Sequence, residues 1–234
     1  MMDCIPYGDR AMLVRFKQEI DPAINQQVRA LKEQLIDVHG VLSMIPAYCS
    51  LTIVFDPNKI SYLELESKSK NCKSSISAEK NGRVLKIPVC YDPDIAPDLE
   101  EVKTITGLTT QEIVKLHTSH TYQVYMMGFI PGFAYMGKLP AELKCPRRDE
   151  PRRAVPKGAV GIAGLQTGIY PSVAPGGWQL IGGTPIECFK AKDDHPFLFE
   201  TGDTTKFYSI DRVEFSKIEV KVKNNEFNYD SLYE

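Results

Sequence analysis

GFIPGFAYMGKLPAELKCPRRDEPRRAVPKGAVGIAGLQTGIYPSVAPGGWQLIGGTP, residues 128–185, holds 11 of the chain's 16 glycines and 8 of its 16 prolines. Glycine is required where φ is positive or where a backbone is approached closely, and proline fixes φ near −65°. Interleaved with Phe133, Tyr135, Tyr170 and Trp178, this mixture specifies a rigid, loop-rich β surface rather than ordinary core strands. Function is expected on this surface.

Working outward, the segment is basic, with seven Lys or Arg against three Asp or Glu. The whole chain carries a net charge of −2, which argues against a general nucleic-acid or membrane-surface binder. A basic segment in an acidic frame suits a small anionic ligand or an acidic partner. The six cysteines are dispersed, with no C-x-x-C pair and no short spacing to histidine, so neither zinc nor a disulfide framework is expected. Free thiols of this kind fit a reducing cytoplasm. The N-terminus lacks a secretory signal pattern and no apolar run approaches 18 residues.

Before the rich segment, Arg10–Phe16 reads as a strand, and Asp21 with Pro22 opens a helix whose apolar face is Ile24, Val28, Leu31 and Leu35. Gly40 is the expected stop. Val41–Ile45 and Ser50–Phe55 read as strands, and Ile60 to about Cys72 as a second helix. That order gives residues 1–82 as an α+β domain, ferredoxin-like in type. The polar stretch at 67–82 reads as a frayed helix end plus linker. Residues 83–234 form the second domain. Val84–Tyr91 reads as a strand, Asp98–Thr104 as a helix, Thr109–Ser119 as a helix with a Thr109/Glu112 capping box, and Tyr122–Phe129 as a strand. Short strands follow at 159–164, 178–182, 185–190, 205–210 and 217–222, giving a β-barrel or sandwich with helices packed on it. The acidic tail reads as mobile.

Within the rich segment, Gly132–Leu139 nearly matches a phosphate-binding loop. Leu139 lacks the hydroxyl for Mg²⁺, however, and Phe133, Tyr135 and Met136 are bulky where the loop must wrap phosphate. His117 and His120 sit near a helix end without further ligands at a matching spacing, so a dipole or barrel-wall role outweighs metal ligation. Arg147, Arg148, Arg152 and Arg153 flank Asp149-Glu150-Pro151. Stiffened by prolines at 146, 151 and 156, they either grip an anion or partner, or form internal salt bridges. The Gln166–Pro171 and Gly176–Gln179 runs either line a concave site or bury their own Tyr and Trp. No nucleophile–base pair can be assembled here, so any catalysis is expected to share its site with another subunit.

The long phrases resemble one family, the B-subunit proteins of bacterial 5-oxoprolinase. These were long called allophanate hydrolase subunit 1, and they include the sporulation kinase inhibitor KipI. The resemblance is carried by YGDRAMLVRF (7–16), LTIVFDP (51–57), YDPDIAPDLEEV (91–102), LHTSHTYQVYMMGFIPGFAYMGKLP (116–140), residues 146–185 and GDTTKF (202–207). It implies an N-terminal α/β domain and a cyclophilin-like, mainly antiparallel β-barrel. It also implies partner subunits A and C, and opening of 5-oxo-L-proline to L-glutamate driven by ATP with Mg²⁺. The motif positions that it places around a pocket are Phe129, Phe133, Arg147, Arg152, Gln166, Thr167, Tyr170 and Trp178. Two positions depart from the family pattern: Gly183, where a basic residue is usual, and Ala159, where serine is common. The resemblance carries an alternative, a KipI-like protein that binds a sensor histidine kinase and blocks its autophosphorylation.

Overall fold

The computed structural model describes residues 2–72 and 82–234. The chain divides into two compact units, Met1–Lys80 and Asn81–Glu234. The polar stretch read as a linker lies largely outside the described residues.

In the first unit, β1 (Asp3–Pro6) and β2 (Ala11–Arg15) form a hairpin, followed by α1 (Pro22–Leu35), β3 (Val41–Pro46), β4 (Ser50–Phe55) and α2 (Tyr62–Asn71). Asp21 caps α1 by accepting from the amides of Ala23 and Ile24, with Pro22 at the first helical turn. The buried face is Ile24, Val28, Leu31 and Leu35, as the spacing requires. Asn25 is buried beside them, and its Nδ2 donates to the Ala47 and Tyr48 carbonyls at 3.2 Å each, tying the helix to the β3–β4 turn. Met12, Val14, Leu51, Ile53 and Phe55 supply the sheet side of this core. The helix stops at Leu35, and Gly40, with φ of +94°, serves instead to enter β3.

The sheet order is β1-β2-β4-β3, all antiparallel. A ferredoxin-like fold places its last strand after the second helix. Here the edge position beside β2 is taken by the N-terminal β1, and the described residues after α2 add no strand to this sheet. The ferredoxin-like expectation is therefore not reproduced. The four residues of β1 alternate too briefly to announce a strand.

The second unit is a closed barrel. Its elements are β5 (Val84–Cys90), α3 (Leu99–Thr106), α4 (Thr110–Ser119), β6 (Thr121–Met127), β7 (Ala134–Gly137), β8 (Arg152–Val155), β9 (Ala159–Ala163), β10 (Gln166–Ile169), β11 (Ala174–Gly176), β12 (Gln179–Gly183), β13 (Thr204–Ile210) and α5 (Arg212–Lys223). Seven strands close in the order β10-β7-β6-β13-β5-β12-β9, while β8 and β11 make a separate two-stranded ribbon. Every barrel seam is antiparallel except β5–β13, which pairs in parallel from Val84↔Thr204 to Cys90↔Ile210. Helix α3 packs on β12, α4 on β13 and α5 on β5. The capping box at Thr109 and Glu112 forms as read.

Three expectations fail here. Residues 217–222 lie in α5, not a strand. The alternation of Ile218, Val220 and Val222 suggested period two, yet Ile218 and Val222 are buried four apart while Val220 is 54% exposed. Asp211 caps that helix through the Glu214 amide at 2.8 Å. Residues 185–190 form no strand; Phe189 makes only an isolated bridge to Phe197. The tail is anchored: Leu232 is buried, Tyr233 bridges Leu85, and Glu234 pairs with Lys86 and Lys206 at 3.0 and 2.7 Å.

Candidate functional site

Strand β10 shows the two faces of the barrel wall. Thr167 and Ile169 point into the interior, so Gln166 and Gly168 face out. Inside, Thr167 Oγ1 lies 3.0 Å from His117 Nε2, and His117 Nδ1 lies 2.7 Å from the Tyr91 hydroxyl. Thr167 donates its one proton to the Gly161 carbonyl at 3.2 Å. It must therefore accept from Nε2–H, which leaves Nδ1 to accept from Tyr91. The chain of bonds is complete with every group neutral. The ring stacks on Phe207 at 4.6 Å, and burial drives the His117 pKa down to about 3 and that of Tyr91 well above its usual value. An imidazole so sealed is structural. Thr167, expected at a pocket, belongs to this interior seam.

Outside, aromatic side chains build a second core against the wall. Phe133 meets four rings edge-on: Phe129 at 5.7 Å, Tyr135 at 4.8 Å, Tyr170 at 5.1 Å and Trp178 at 5.4 Å. Each such pair contributes about 0.5–1.5 kcal/mol beyond burial, so the cluster is stiff. It needs glycine beneath it. A Cβ on Gly168 would lie 3.2 Å from Trp178 Cζ3 and 3.3 Å from Phe133 Cζ, and one on Gly176 would lie 2.9 Å from the Tyr170 ring. The ribbon residues Val155 and Ala174 help close the cluster, which buries Phe133, Tyr170 and Trp178. These three are thus the floor of the site rather than the walls of an open pocket. Phe129, Tyr135, Gln166 and Arg147 remain at its rim.

Phe129 is unusual. The Ile130 amide donates to the Gly128 carbonyl at 2.9 Å, closing a γ-turn with Phe129 at φ +70°. That conformation costs a non-glycine residue about 1–2 kcal/mol, and the ring it displays is 57% exposed.

The arginine loop is ordered by a residue that the sequence did not single out. Asp98, 3% exposed, receives Arg152 Nη2 and, at 3.2 Å, Arg148 Nη1 on Oδ1, while its Oδ2 accepts the Leu180 amide at 2.6 Å. Arg148 also reaches Glu101 at 3.0 Å. Arg152 is therefore engaged internally and is not an available anion contact. Fifty residues separate Asp98 from Arg148, so no local motif announces the pair. Arg147 is exposed and forms no ion pair or hydrogen bond among the described residues. Its charge is felt at Tyr135 and Tyr170, partly opposing the rise that burial gives both phenols.

At the departures from family pattern, Gly183 lies in β12, where a Cβ would stand 2.5 Å from Ile95 Cγ2. A basic side chain there would require Ile95 to move. Ala159 is buried against the aromatic cluster. Strand β7 runs through the phosphate-loop lookalike, and only a three-residue 3-10 turn, Ala141–Leu143, follows it in place of the helix that would cradle phosphate. Among the described residues, no group of three or more His, Cys, Asp or Glu could hold a metal ion, and no helix is long and apolar enough to cross a membrane.

Residues 2–199 match the family described as carboxyltransferase domain, subdomain C and D. The chain is 40% identical to the B subunit of 5-oxoprolinase from Bacillus subtilis over 225 residues, 89% of this chain and 92% of that one. The solved protein TTHA0988 superposes with a TM-score of 0.75 at 35% identity, over 86% of this chain and 40% of its own length. The urea carboxylase of Kluyveromyces lactis shares the fold, with a TM-score of 0.79 at 22% identity, over 97% of this chain and 23% of that one. The chain belongs to the 5-oxoprolinase B-subunit family.

Proposed function

We propose that this chain is one component of an ATP-dependent 5-oxoprolinase, acting with subunits of the A and C kinds to hydrolyse 5-oxo-L-proline to L-glutamate. In that reaction water adds across the lactam C–N bond, the acyl carbon taking oxygen and the nitrogen a proton. A five-membered lactam is unactivated, and ATP hydrolysis supplies the drive. The observation that carries the reading is the 40% identity to a 5-oxoprolinase B subunit along nearly the whole of both chains.

The geometry supports a shared site. His117, the one buried histidine among the described residues of the barrel, is saturated on both ring nitrogens and held neutral, so it is not available as a base at the outer face. The outer face offers a rigid aromatic floor, a free guanidinium and a carboxamide, which bind and orient but do not attack. TTHA0988 and the K. lactis enzyme carry the equivalent region within much longer chains, which suits a face completed by other polypeptide. The phosphate-loop lookalike at 132–139 lacks the hydroxyl for Mg²⁺ and carries bulky Phe133, Tyr135 and Met136, which favours placing ATP with Mg²⁺ on a partner subunit. The barrel is read as cyclophilin-like and the protein as cytoplasmic.

The test is co-expression with the A and C subunits, with glutamate formation and ATP hydrolysis followed as each is omitted in turn. Loss of glutamate formation without this chain is expected; undiminished turnover in its absence removes it from the reaction. Exposed Phe129 favours a second reading, docking to a sensor histidine kinase. That reading requires a stable complex with the kinase and no effect on oxoprolinase turnover.

A further inference from the structure

We propose that Arg147, beside Gln166 and the Tyr135–Trp178 ring pair, is the carboxylate anchor for a small lactam acid on the outer face of the barrel. This deepens the oxoprolinase reading and rests on it.

Charge and pairing single out Arg147. Arg148 and Arg152 converge on Asp98, and Lys157 pairs with Glu187. Exposed Arg153 makes no ion pair among the described residues either, but Arg147 is the one cation whose charge is felt at both Tyr135 and Tyr170, and its guanidinium makes no ion pair or hydrogen bond among the described residues. An Asp98 carboxylate that pulls its neighbours inward leaves Arg147 facing out.

Position singles it out as well. Two residues before Arg147, the Cys145 carbonyl accepts from the Gly164 amide at 2.6 Å; one residue after it, the Arg148 amide donates to the Gly177 carbonyl at 2.8 Å. Those anchors pin Arg147 between the turn that leads into Gln166 and the turn that leads into Trp178. Pro146 and Pro151 stiffen the loop around it.

Complementarity agrees. Tyr135, half-buried at the rim, is held edge-on by buried Phe133 and by buried Trp178, 5.8 Å away at 68°, which fixes its ring as an aromatic surface for a small planar ring. The Gln166 carboxamide is half-exposed and makes no hydrogen bond among the described residues. A carboxamide pairs with a cis lactam through two reciprocal N–H···O=C bonds, and a guanidinium grips carboxylate with two parallel ones. The three groups together match a five-membered lactam bearing a carboxylate.

The experiment uses the assembled three-component complex carrying wild-type chain, Arg147→Ala, Arg147→Lys or Lys144→Ala, an exposed cation of the same loop. Steady-state turnover and equilibrium dialysis are run with 5-oxoproline and with 2-pyrrolidone, which lacks the carboxylate. Arg147→Ala is expected to raise KM and Kd for 5-oxoproline roughly tenfold to a hundredfold. It should leave kcat within about threefold and 2-pyrrolidone unchanged. Arg147→Lys should fall between, because an ammonium makes no bidentate fork. Lys144→Ala should match wild type. An Arg147→Ala complex with KM and Kd within about twofold of wild type overturns the proposal, as does one from which a component is lost, since Arg147 would then be an interface residue. A wild-type complex that retains 5-oxoproline through Arg147 without hydrolysing it sinks the oxoprolinase reading alone. One that neither retains nor hydrolyses it sinks both.

Discussion

The inner and outer faces of the β9–β10 wall are built from alternate residues of the same strands, and they use polar groups in opposite ways. Inside, His117, Tyr91 and Thr167 exhaust one another's hydrogen-bonding capacity in a dry seam. Outside, a tight aromatic cluster is ringed by Arg147 and Gln166, whose capacity is unused among the described residues. A buried histidine with a displaced pKa looks like chemistry, yet the pair left incomplete is the better guide to binding.

Four experiments test that contrast. The largest effect is expected from Trp178→Ala, which removes a ring 4% exposed from the outer cluster. It should cost about 3–5 kcal/mol, followed by circular dichroism during urea unfolding. A cost below about 1 kcal/mol would show that the outer cluster is decoration and not a core. Asp98→Ala strands two guanidinia and the Leu180 amide. Because Arg148 and Arg152 keep 30% and 24% of their side-chain surface, about 2–3 kcal/mol is expected, less than for a fully buried pair. Hydrogen exchange across residues 146–153 should rise in the same variant; unchanged exchange would mean that the prolines alone hold the loop.

The third test concerns the inner seam. The folded pKa of His117, about 3, lies below its unfolded value of 6.5. Between those values the unfolded chain binds the extra proton, so stability is full above about pH 6.5 and declines as pH falls towards 3. The expected slope is about 1.4 kcal/mol per pH unit. His117→Gln cannot titrate, and the wild-type-minus-variant difference in unfolding free energy should carry that slope. A difference flat from about pH 7 to about pH 4 would mean that the seam admits a proton. The smallest effect is on the rim: Arg147→Ala should alter stability by no more than about 0.5 kcal/mol. A larger loss would place Arg147 in the fold rather than at a ligand.

Local chemistry was legible in the sequence. Asp21-Pro22, the Thr109/Glu112 box and the apolar spacing of α1 each state their element within one or two turns. The glycine-rich segment was expected to be a surface rather than core strands, yet it supplies the barrel strands β7, β9, β10 and β12, largely buried, and Gly168 and Gly176 make room for the rings of Phe133, Trp178 and Tyr170. What failed was non-local. β1 is defined only by pairing with β2, the ribbon β8–β11 only by covering Trp178 and Tyr170, and Asp98 acts across about fifty residues. The KIEVKV run at 217–222 reads equally at periods of two and four, and only the cap at Asp211 decides between them. Of the expected site residues, Phe129, Arg147 and Gln166 stand at the rim, while Phe133, Tyr170, Trp178, Thr167 and Arg152 turn inward for reasons of packing that composition does not encode.

The parallel seam between β5 and β13 joins the start of the second unit to a strand some 120 positions later. During synthesis the cylinder therefore stays open until the ribosome has delivered Thr204–Ile210, leaving one edge of β5 and one of β6 unpaired until then. A message truncated before Thr204 would yield a chain with the outer aromatic floor encoded but the barrel open between β5 and β6. Such a product would meet chaperones and proteases before it met any partner.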